Sequence, residues 1–495
     1  MSNKIKKEFG DFQTPFKLAE EIVSLLKNKY KIKPEITIEP SCGKGSFVCA
    51  TCKLFTNTVI YAFDINQNYI NIAQKQCQNC GNFIRFKAAD FFKYNWKSFF
   101  KNIDVRKELL IIGNPPWITN SELGSINGKN IPIKKNFDKN KGIEAITGKA
   151  NFDISEWIIL QYLQWMQNRN GTIAQLCKFS VARKIINHIE KNNMNYKGDI
   201  YLIDAQKEFN VSVKACLLVI KPTLNKKNFF IYKTINSKKP LHVVKRHNDI
   251  IVRNIEIFDK WNKFLLTNKK KSPYIWRTGI KHDCAKVMEL EYLGNNNYKN
   301  GFNEVFVLED NYIYPLLKSS DIANKNVEPR KWVLVTQKKV GENTDLIAKL
   351  APLTWKYLMK YKKCFENRKS KIYKNKPMFS IFGIGEYSFR PWKIAISGMY
   401  KKIDFVLVPP FKQKPTMFDD TINFLSFNSL EEATFIYNLL KSKSVLEFLD
   451  SMIFWDAKRP ITTKILNKIN FYEVAKELKL LKEYKKFNKQ YNKNH

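Results

Sequence analysis

The first half of the chain alternates short apolar runs with amphipathic segments. Apolar residues at positions 18, 19, 22, 25 and 26 repeat with the helical period, which predicts a helix over residues 14–30. Apolar runs predict strands at 35–40, 59–65, 83–92, 108–113, 171–177, 200–205 and 211–220. Strands that alternate with helices are typical of a parallel sheet, so we expect an α/β fold.

The second half has a different character. Beyond residue 222 the alternation fades, and aromatic residues interleave with lysines. The chain has 495 residues, which is longer than one typical domain. We therefore predict two domains, over residues 1–235 and 236–495. Residues 121–150, rich in glycine, lysine and asparagine, are predicted to form a basic loop.

The chain carries a net charge of +40. Such a surplus indicates a polyanionic partner, and nucleic acid is the first candidate. Codon bias toward lysine is the alternative, but it does not explain why acidic residues fail to balance the lysines. The N-terminus lacks the apolar stretch of a signal peptide, and no apolar run reaches the length of a membrane span. We expect a cytoplasmic protein without membrane contact.

Two C-x2-C pairs, Cys49 with Cys52 and Cys77 with Cys80, have a spacing that is common among zinc ligands. Both pairs fall in segments that are predicted to be successive helices. We expect these helices to hold the pairs roughly 10 Å or more apart, too far to share one metal ion. The sequence therefore predicts buried helix cysteines and no metal site.

Four predicted strands end on residues that suit a ligand site. Glu39 precedes a glycine-rich turn at 40–45, and the later strand ends carry Asp64, Asp90 and Asn114. Ligands of open α/β sheets bind beyond the carboxyl ends of the strands. A glycine-rich turn that opens a helix lets a ligand approach the backbone, and an acidic residue about 20 residues later suits a ribose. Two prolines after Asn114 hold its backbone extended.

These motifs, in this order, resemble those of the DNA amino-methyltransferases that use S-adenosylmethionine. The motifs that carry the resemblance are FQTPF (12–16), EPSCGKGSF (39–47), FDI (63–65), ADFF (89–92) and NPPW (114–117). The last resembles the catalytic signature in its N6-adenine form, and a large domain after the catalytic one is typical of the gamma class found in type II restriction–modification systems. The resemblance implies a Rossmann-like catalytic domain with a mostly parallel seven-stranded sheet, and a C-terminal mixed α/β domain that recognises the DNA target.

The resemblance also implies the reaction, which is methyl transfer from S-adenosylmethionine to N6 of an adenine flipped out of duplex DNA. The adenine amine is a poor nucleophile, and acceptors that take both its hydrogens free its lone pair. The Asn114 side-chain oxygen and the Pro115 carbonyl are predicted to be these acceptors, with Pro116 stiffening the backbone and Trp117 stacking on the base. Phe209 is implied as the opposing wall, and a plain core phenylalanine is an equal interpretation.

The implied cofactor contacts divide by the part of S-adenosylmethionine that they hold. Thr14 and the glycine turn hold the methionine part, Asp64 the ribose hydroxyls and Asp90 the adenine amine, with Ile65 or Phe91 against the adenine ring. The complete predicted set is Thr14, Glu39, Pro40, Ser41, Cys42, Gly43, Gly45, Asp64, Ile65, Asp90 and Phe91.

Candidate DNA contacts in the second domain are Arg277, Lys281 and His282, followed by Arg368 and Arg390. Each of them is equally interpretable as a solvated or structural cation. Double-stranded DNA is the predicted partner, and we expect a monomer. Whether a separately encoded restriction endonuclease is a second partner stays open at the level of sequence.

Other functions fit part of the pattern. The glutamine N5-methyltransferases of release factors share an NPPY-type signature but lack a large basic second domain. The N4-cytosine methyltransferases usually carry serine in place of Asn114. A bifunctional restriction enzyme needs a nuclease motif, and the sole late E-x-K of note, at Glu477 and Lys479, lies in a charged helix. A non-catalytic DNA-binding protein would tolerate loss of Asn114, whereas the signature is intact.

Overall fold

The computed structural model describes residues 12–118, 153–224, 228–247, 250–267 and 272–488, and the predicted basic loop at 121–150 lies outside them. The chain divides into two compact units between Ile255 and Glu256. The predicted boundary at 235/236 lies earlier than this division, because two strands beyond it, His242–His247 and Ile250–Val252, continue the sheet of the first unit.

The first unit alternates strands and helices from Phe16 to Pro222, as the apolar pattern predicts, and then adds three strands. Its elements are α1 (Phe16–Asn28), β1 (Ile36–Glu39), α2 (Ser46–Leu54), β2 (Val59–Asp64), α3 (Gln67–Gln76), β3 (Ile84–Ala88), α4 (Trp96–Lys101), β4 (Leu109–Gly113), α5 (Ile154–Trp165), β5 (Gly171–Lys178), α6 (Phe179–Lys191), β6 (Tyr196–Ile203), α7 (Ala205–Phe209), β7 (Ala215–Pro222), β8 (Phe229–Tyr232), β9 (His242–His247) and β10 (Ile250–Val252).

The strands of the first unit form one sheet in the order β10-β9-β8-β6-β7-β5-β4-β1-β2-β3. Strands β1 to β5 pair in parallel, and β7 is antiparallel to both β5 and β6. The seven strands from β6 to β3 form the predicted methyltransferase sheet. The prediction of seven strands is nevertheless too low, because β8, β9 and β10 extend the sheet beyond β6 to ten.

Helix α1 confirms the prediction from its apolar period. It buries Leu18, Ala19, Ile22, Val23 and Leu26. These side chains join a core with residues of α2, β4, β5 and β7. Because α1 packs on the helix that follows the glycine-rich turn, the segment before α1 is held beside the carboxyl end of β1.

The expectation that the two cysteine pairs lie far apart is wrong. Cys52 and Cys80 form a disulfide, with their Cα atoms 5.7 Å apart. Helices α2 and α3 approach closely, since a Cβ built on Gly45 would lie 2.8 Å from the Ala73 Cβ atom. A turn after α3, closed by the Cys80 amide donating to the Cys77 carbonyl, brings Cys80 back toward α2.

The second unit is mixed α/β. Its elements are α8 (Ile255–Lys260, which begins at the division), β11 (Arg277–Thr278), α9 (Ala285–Met288), β12 (Glu289–Gly294), β13 (Asn297–Lys299), β14 (Val305–Val307), β15 (Ile313–Leu317), α10 (Ser319–Ala323), β16 (Lys331–Leu334), α11 (Ile347–Leu350), α12 (Pro352–Lys360), α13 (Lys362–Glu366), β17 (Trp392–Ser397), β18 (Val406–Val408), β19 (Met417–Phe418), β20 (Ile422–Phe427), α14 (Leu430–Leu440), α15 (Lys443–Met452), α16 (Thr463–Leu466), α17 (Phe471–Glu477) and α18 (Leu481–Phe487), with short 3-10 turns at 262–264, 310–312, 371–373 and 386–389.

Two sheets organise the second unit. A four-stranded antiparallel sheet runs β11-β20-β17-β18, and a six-stranded sheet runs β14-β13-β12-β16-β15-β19. The larger sheet carries an apolar core to which α12 and α13 contribute Tyr357, Leu358 and Phe365. Throughout the described ranges, no helix is both long enough and apolar enough to cross a membrane.

Candidate active site

A cavity of about 430 Å³ opens at the carboxyl ends of β1, β2, β3 and β4. It has the size of a small-molecule site and lies where open α/β sheets bind their ligands. Every predicted cofactor residue except Gly45 lines it. The lining residues are Phe12, Gln13, Thr14, Glu39, Pro40, Ser41, Cys42, Gly43, Ser46, Phe47, Asp64, Ile65, Asn66, Gln67, Tyr69, Ala89, Asp90, Phe91, Phe92, Asn114, Pro116 and Ile158.

The turn after β1 presents bare backbone to this cavity. Gly43 has φ +52°, and its amide donates to the Asp64 Oδ2 atom over 2.8 Å. A Cβ at this position would lie 2.6 Å from the Oε1 atom of Gln13, which accepts a hydrogen bond from the Lys44 amide. The conformation and the crowding both favour glycine here. Gly45 instead faces α3, which explains its absence from the lining.

The acidic residues after β2 and β3 are held by their own loops. The Asp64 Oδ1 atom accepts from the Asn66 amide over 2.8 Å, and the Asp90 Oδ1 atom accepts from the Phe92 amide over 2.9 Å. An ionised carboxylate offers about four acceptor positions. Both residues line the cavity, where carboxylate oxygens can accept from hydroxyl or amine donors of a ligand.

Glu39 is the most buried acidic residue of the cavity, at 2% exposure. Its Oε2 atom has no hydrogen-bond partner within the described part of the chain. Burial, with repulsion from Asp64, raises the pKa of the Glu39 carboxyl well above its usual value. A cationic donor bound in the cavity would relieve both conditions.

Asn114 directly follows β4 and lines the cavity. Its Nδ2 atom donates to the Phe12 carbonyl over 2.8 Å and contacts the Thr14 hydroxyl at 3.3 Å. The Oδ1 atom of Asn114 is buried and accepts from no group of the described chain. Pro116 lines the cavity beside it, and Pro115 is buried.

Trp117 and Phe209 contact each other in one core cluster of the first unit, and neither is among the residues that line the cavity. Their ring centroids are 5.1 Å apart in an edge-to-face arrangement. The Phe12 ring also contacts Trp117, with 5.5 Å between the two ring centroids. The Trp117 indole is only 4% exposed and donates to the Leu176 carbonyl over 3.4 Å. Phe209 is partly buried at the end of α7. This placement fits the interpretation of Phe209 as a core phenylalanine, and its implied role as a wall opposite the base stays a prediction.

Several lining residues are not among those predicted from the sequence. Phe12 and Gln13 belong to the motif FQTPF, and Ser46 and Phe47 belong to the motif EPSCGKGSF. These four residues could therefore have been predicted from their motifs. Ile158, in contrast, lies inside α5 and reaches the cavity only because that helix packs beside β4 and β5. The other unassigned lining residues are Asn66, Gln67, Tyr69, Ala89 and Phe92.

Comparison with known proteins identifies the family. The chain is 46% identical over 480 residues to the type II methyltransferase M.NspV of Nostoc sp., a match that covers 96% of this chain and 98% of that protein. The chain belongs to the type II methyltransferases. The fold of the methyltransferase is shared by the type IIL restriction-modification enzyme MmeI in complex with DNA, at a TM-score of 0.51 and 14% identity over 86% of this chain and 60% of that one. No protein-family model matches the chain.

The methyltransferase uses S-adenosylmethionine as its methyl donor, and it acts on DNA in a restriction–modification system. The cavity fits this cofactor on two observations. The Oε2 atom of Glu39 is buried without a partner, which suits the cofactor's ammonium group. Gly43, which has no side chain, lines the cavity and so allows a ligand to lie close to the backbone.

The predicted DNA contacts in the second unit divide into two groups. His282 is 8% exposed, its Nδ1 atom accepts from the Cys284 amide, and burial lowers its pKa. The Arg368 guanidinium donates to the backbone carbonyls of four residues and stacks 3.6 Å from the Tyr373 ring centroid. These two side chains therefore serve the interior of the unit, which corrects their proposed role as DNA contacts.

The remaining candidates lie at the surface of the second unit. Arg277 is exposed on β11 and lies 5.0 Å from the ring centroid of Tyr387. Lys281 pairs with Asp283 at 2.8 Å, and Arg390 donates to the Ser426 carbonyl over 3.3 Å. Their charged groups remain close to solvent, as phosphate or base contacts require.

Proposed function

We propose that this methyltransferase modifies N6 of adenine at one short site in duplex DNA, after the base is flipped out of the helix. The observation that carries the proposal is the buried, unpartnered Oδ1 atom of Asn114 at the edge of the cofactor cavity. A buried acceptor without a donor is costly, so a substrate that brings an N–H group is favoured there. The adenine amine has two such hydrogens.

The protein contributes to the reaction by positioning the adenine amine against the methyl group. S-adenosylmethionine supplies a methyl group on a positively charged sulfur. The Asn114 side-chain oxygen and the Pro115 carbonyl accept the two N6 hydrogens, which draws the nitrogen out of conjugation with the ring and frees its lone pair. Trp117, held by Leu176 and flanked by Phe209, forms the wall against which the flipped base packs.

The cofactor residues have separate proposed roles. Thr14 and the turn from Pro40 to Gly43 hold the methionine part, and Glu39 receives its ammonium group. Asp64 accepts from the ribose hydroxyls, and Asp90 accepts from the adenine amine. Ile65 and Phe91 pack on the adenine ring. Ring contacts with Trp96 and Trp165 hold the Phe91 side chain in place.

The first unit is proposed as the catalytic domain and the second as the DNA target-recognition domain. Arg277, Lys281 and Arg390 are the proposed contacts to the DNA. The net charge of +40 supports a phosphate contribution to binding that weakens steeply with salt. We further propose that the protein acts as a monomer and protects DNA from a separately encoded restriction endonuclease.

The test is expression in a host that lacks DNA methylation, followed by long-read sequencing and mass spectrometry of the nucleosides. N6-methyladenine in one sequence context, absent from cells that express Asn114→Ala, is the expected result. Detection of N4-methylcytosine instead would show that the substrate base is cytosine. Unmodified DNA, from soluble protein that binds S-adenosylmethionine, would refute the adenine proposal and favour a glutamine side chain as substrate.

A further inference from the structure

Two cysteine pairs on adjacent helices of the first unit have no part in the proposed reaction. Cys49 and Cys52 lie three residues apart in α2, where side chains share a helix face. Cys77 is the C-cap residue of α3, and the Cys80 amide donates to the Cys77 carbonyl over 3.1 Å. Each pair therefore presents its two sulfurs toward one side of its own element.

The two cysteine pairs meet in one place. Cys52 and Cys80 are joined by a disulfide, with Cα atoms 5.7 Å apart. Cys77 is a buried member of a small apolar cluster, and Cys49, Cys52 and Cys80 pack against that cluster. The four sulfurs thus form a single cluster, which packs against a small apolar core that includes Ile60.

We propose that Cys49, Cys52, Cys77 and Cys80 bind one zinc ion through their thiolates when the disulfide is reduced. Structural zinc sites are tetrahedral, take four cysteines at about 2.3 Å, and commonly draw them from two C-x2-C pairs. A disulfide accounts for Cys52 and Cys80 only. A tetrahedral zinc site uses all four sulfurs and explains why the second pair converges on the first.

The redox state decides whether the site exists. In the disulfide form, the described residues contain no group of three or more His, Cys, Asp or Glu side chains that could hold a metal ion. A dithiol reductant gives two electrons and two protons to the Cys52–Cys80 bond, becomes a disulfide itself, and leaves two thiols. Zn²⁺ then replaces the thiol protons of all four cysteines, and these protons pass to solvent.

The zinc ion would join the two helices that carry the walls of the cofactor cavity. Helix α2 begins at Ser46 and α3 follows Asn66, and both residues line the cavity. The metal would touch neither the cofactor nor the base. Its role is to fix the spacing of the two loops that bind S-adenosylmethionine.

The experiment measures metal content in the full-length wild-type chain, purified anaerobically with a dithiol reductant and without chelators. Native mass spectrometry and elemental analysis are expected to find about one zinc per chain. Replacement by Co²⁺ alone is expected to give the intense visible bands of tetrahedral cobalt thiolate. Neither readout depends on methyl transfer, so failure here is distinguishable from failure of the proposed function.

Matched variants locate the site. Cys52→Ala and Cys80→Ala are expected to lose the zinc. The control is the double variant Cys177→Ala with Cys216→Ala, a buried pair whose sulfurs lie 3.9 Å apart on neighbouring strands; it is expected to keep the zinc. A reduced wild-type chain that takes up neither zinc nor cobalt from excess salt would overturn the proposal. Zinc that both Cys52→Ala and Cys80→Ala retain would overturn it as well.

Discussion

The Nδ2 atom of Asn114 lies 2.8 Å from the carbonyl oxygen of Phe12, and this contact fixes the direction of the Asn114 side-chain oxygen. A backbone carbonyl only accepts hydrogen bonds, so the amide nitrogen must face it. The oxygen is then left buried, with no donor in the part of the chain that the structure describes. A segment that precedes the first helix therefore orients the Asn114 amide, 102 residues later, which we propose as an acceptor for the substrate amine.

Asn114→Asp tests this orientation. Aspartate keeps an acceptor for the substrate but has no N–H to give to Phe12, and its carboxylate would face the carbonyl oxygen. We expect kcat to fall roughly tenfold or more, corresponding to about 1.4 kcal/mol for a lost and partly repulsive hydrogen bond. For Asn114→Ala, which also loses the acceptor, we expect a larger fall in kcat.

Steady-state methylation of an oligonucleotide duplex measures both variants. Calorimetric titration with S-adenosylmethionine serves as the control for an intact cavity. An Asn114→Asp enzyme with the wild-type kcat would contradict the role of Phe12 in orienting the amide.

Gly43→Ala should weaken cofactor binding. The substitution places a Cβ at φ +52° and 2.6 Å from the Gln13 side chain, so both the backbone and Gln13 must shift. A left-handed conformation costs a non-glycine residue roughly 1–2 kcal/mol, and we expect a rise in Kd of roughly tenfold. Gly81→Ala is the matched control, since a Cβ there meets no atom within 4 Å. Equal Kd values for the two variants would show that cofactor binding does not depend on glycine at position 43.

Arg277 and Arg368 should respond differently to replacement by alanine. Arg368→Ala removes the donor to four backbone carbonyls, and we expect a loss of about 2 kcal/mol or more in unfolding free energy. Arg277→Ala is expected to leave stability within about 0.5 kcal/mol while weakening DNA binding and its dependence on salt. Thermal melting and binding at several salt concentrations separate these effects. A destabilised Arg277→Ala chain would argue against its assignment to the DNA surface.

Lys393 should make stability depend on pH. Its side chain is buried in β17 and donates to the Arg390 and Thr416 carbonyls, and burial lowers its pKa from 10.5 to about 7. Between these two values the unfolded chain binds more protons than the folded chain, so this group's contribution to stability rises with pH. Below pH 7 the contribution no longer changes, because Lys393 is charged in both states.

Melting of the wild type and of Lys393→Met between pH 7 and 9 measures this effect. The Tm of the wild type minus that of the variant is expected to increase with pH, since methionine does not titrate. A constant difference would show that Lys393 does not change its charge state on folding.

The apolar pattern was enough for the architecture of the catalytic sheet. The predicted strands match β1 to β7 in order, because buried parallel strands need continuous apolar runs and a helix between them. It was not enough for β8 to β10. The apolar runs FFIY (Phe229–Tyr232) and IIV (Ile250–Val252) are only four and three residues long, and no helix separates β8, β9 and β10 to mark them as successive strands. The cysteine pairs show the same limit: each C-x2-C was visible, but their approach depends on how closely α2 packs against α3.

By itself, the sequence determined that the strand-end motifs line the cofactor cavity, because such motifs of an open α/β sheet converge wherever the strands are parallel. It did not determine lining residues such as Ile158, which reaches the cavity from a helix. Only the tertiary structure decided the direction of the Asn114 amide, which a carbonyl from a distant segment sets. It also decided that His282 and Arg368 belong to the interior of their unit, although both resemble surface cations in the sequence. Local pattern places a residue on an element, whereas its partners come from other elements, and partners determine what a polar group can do.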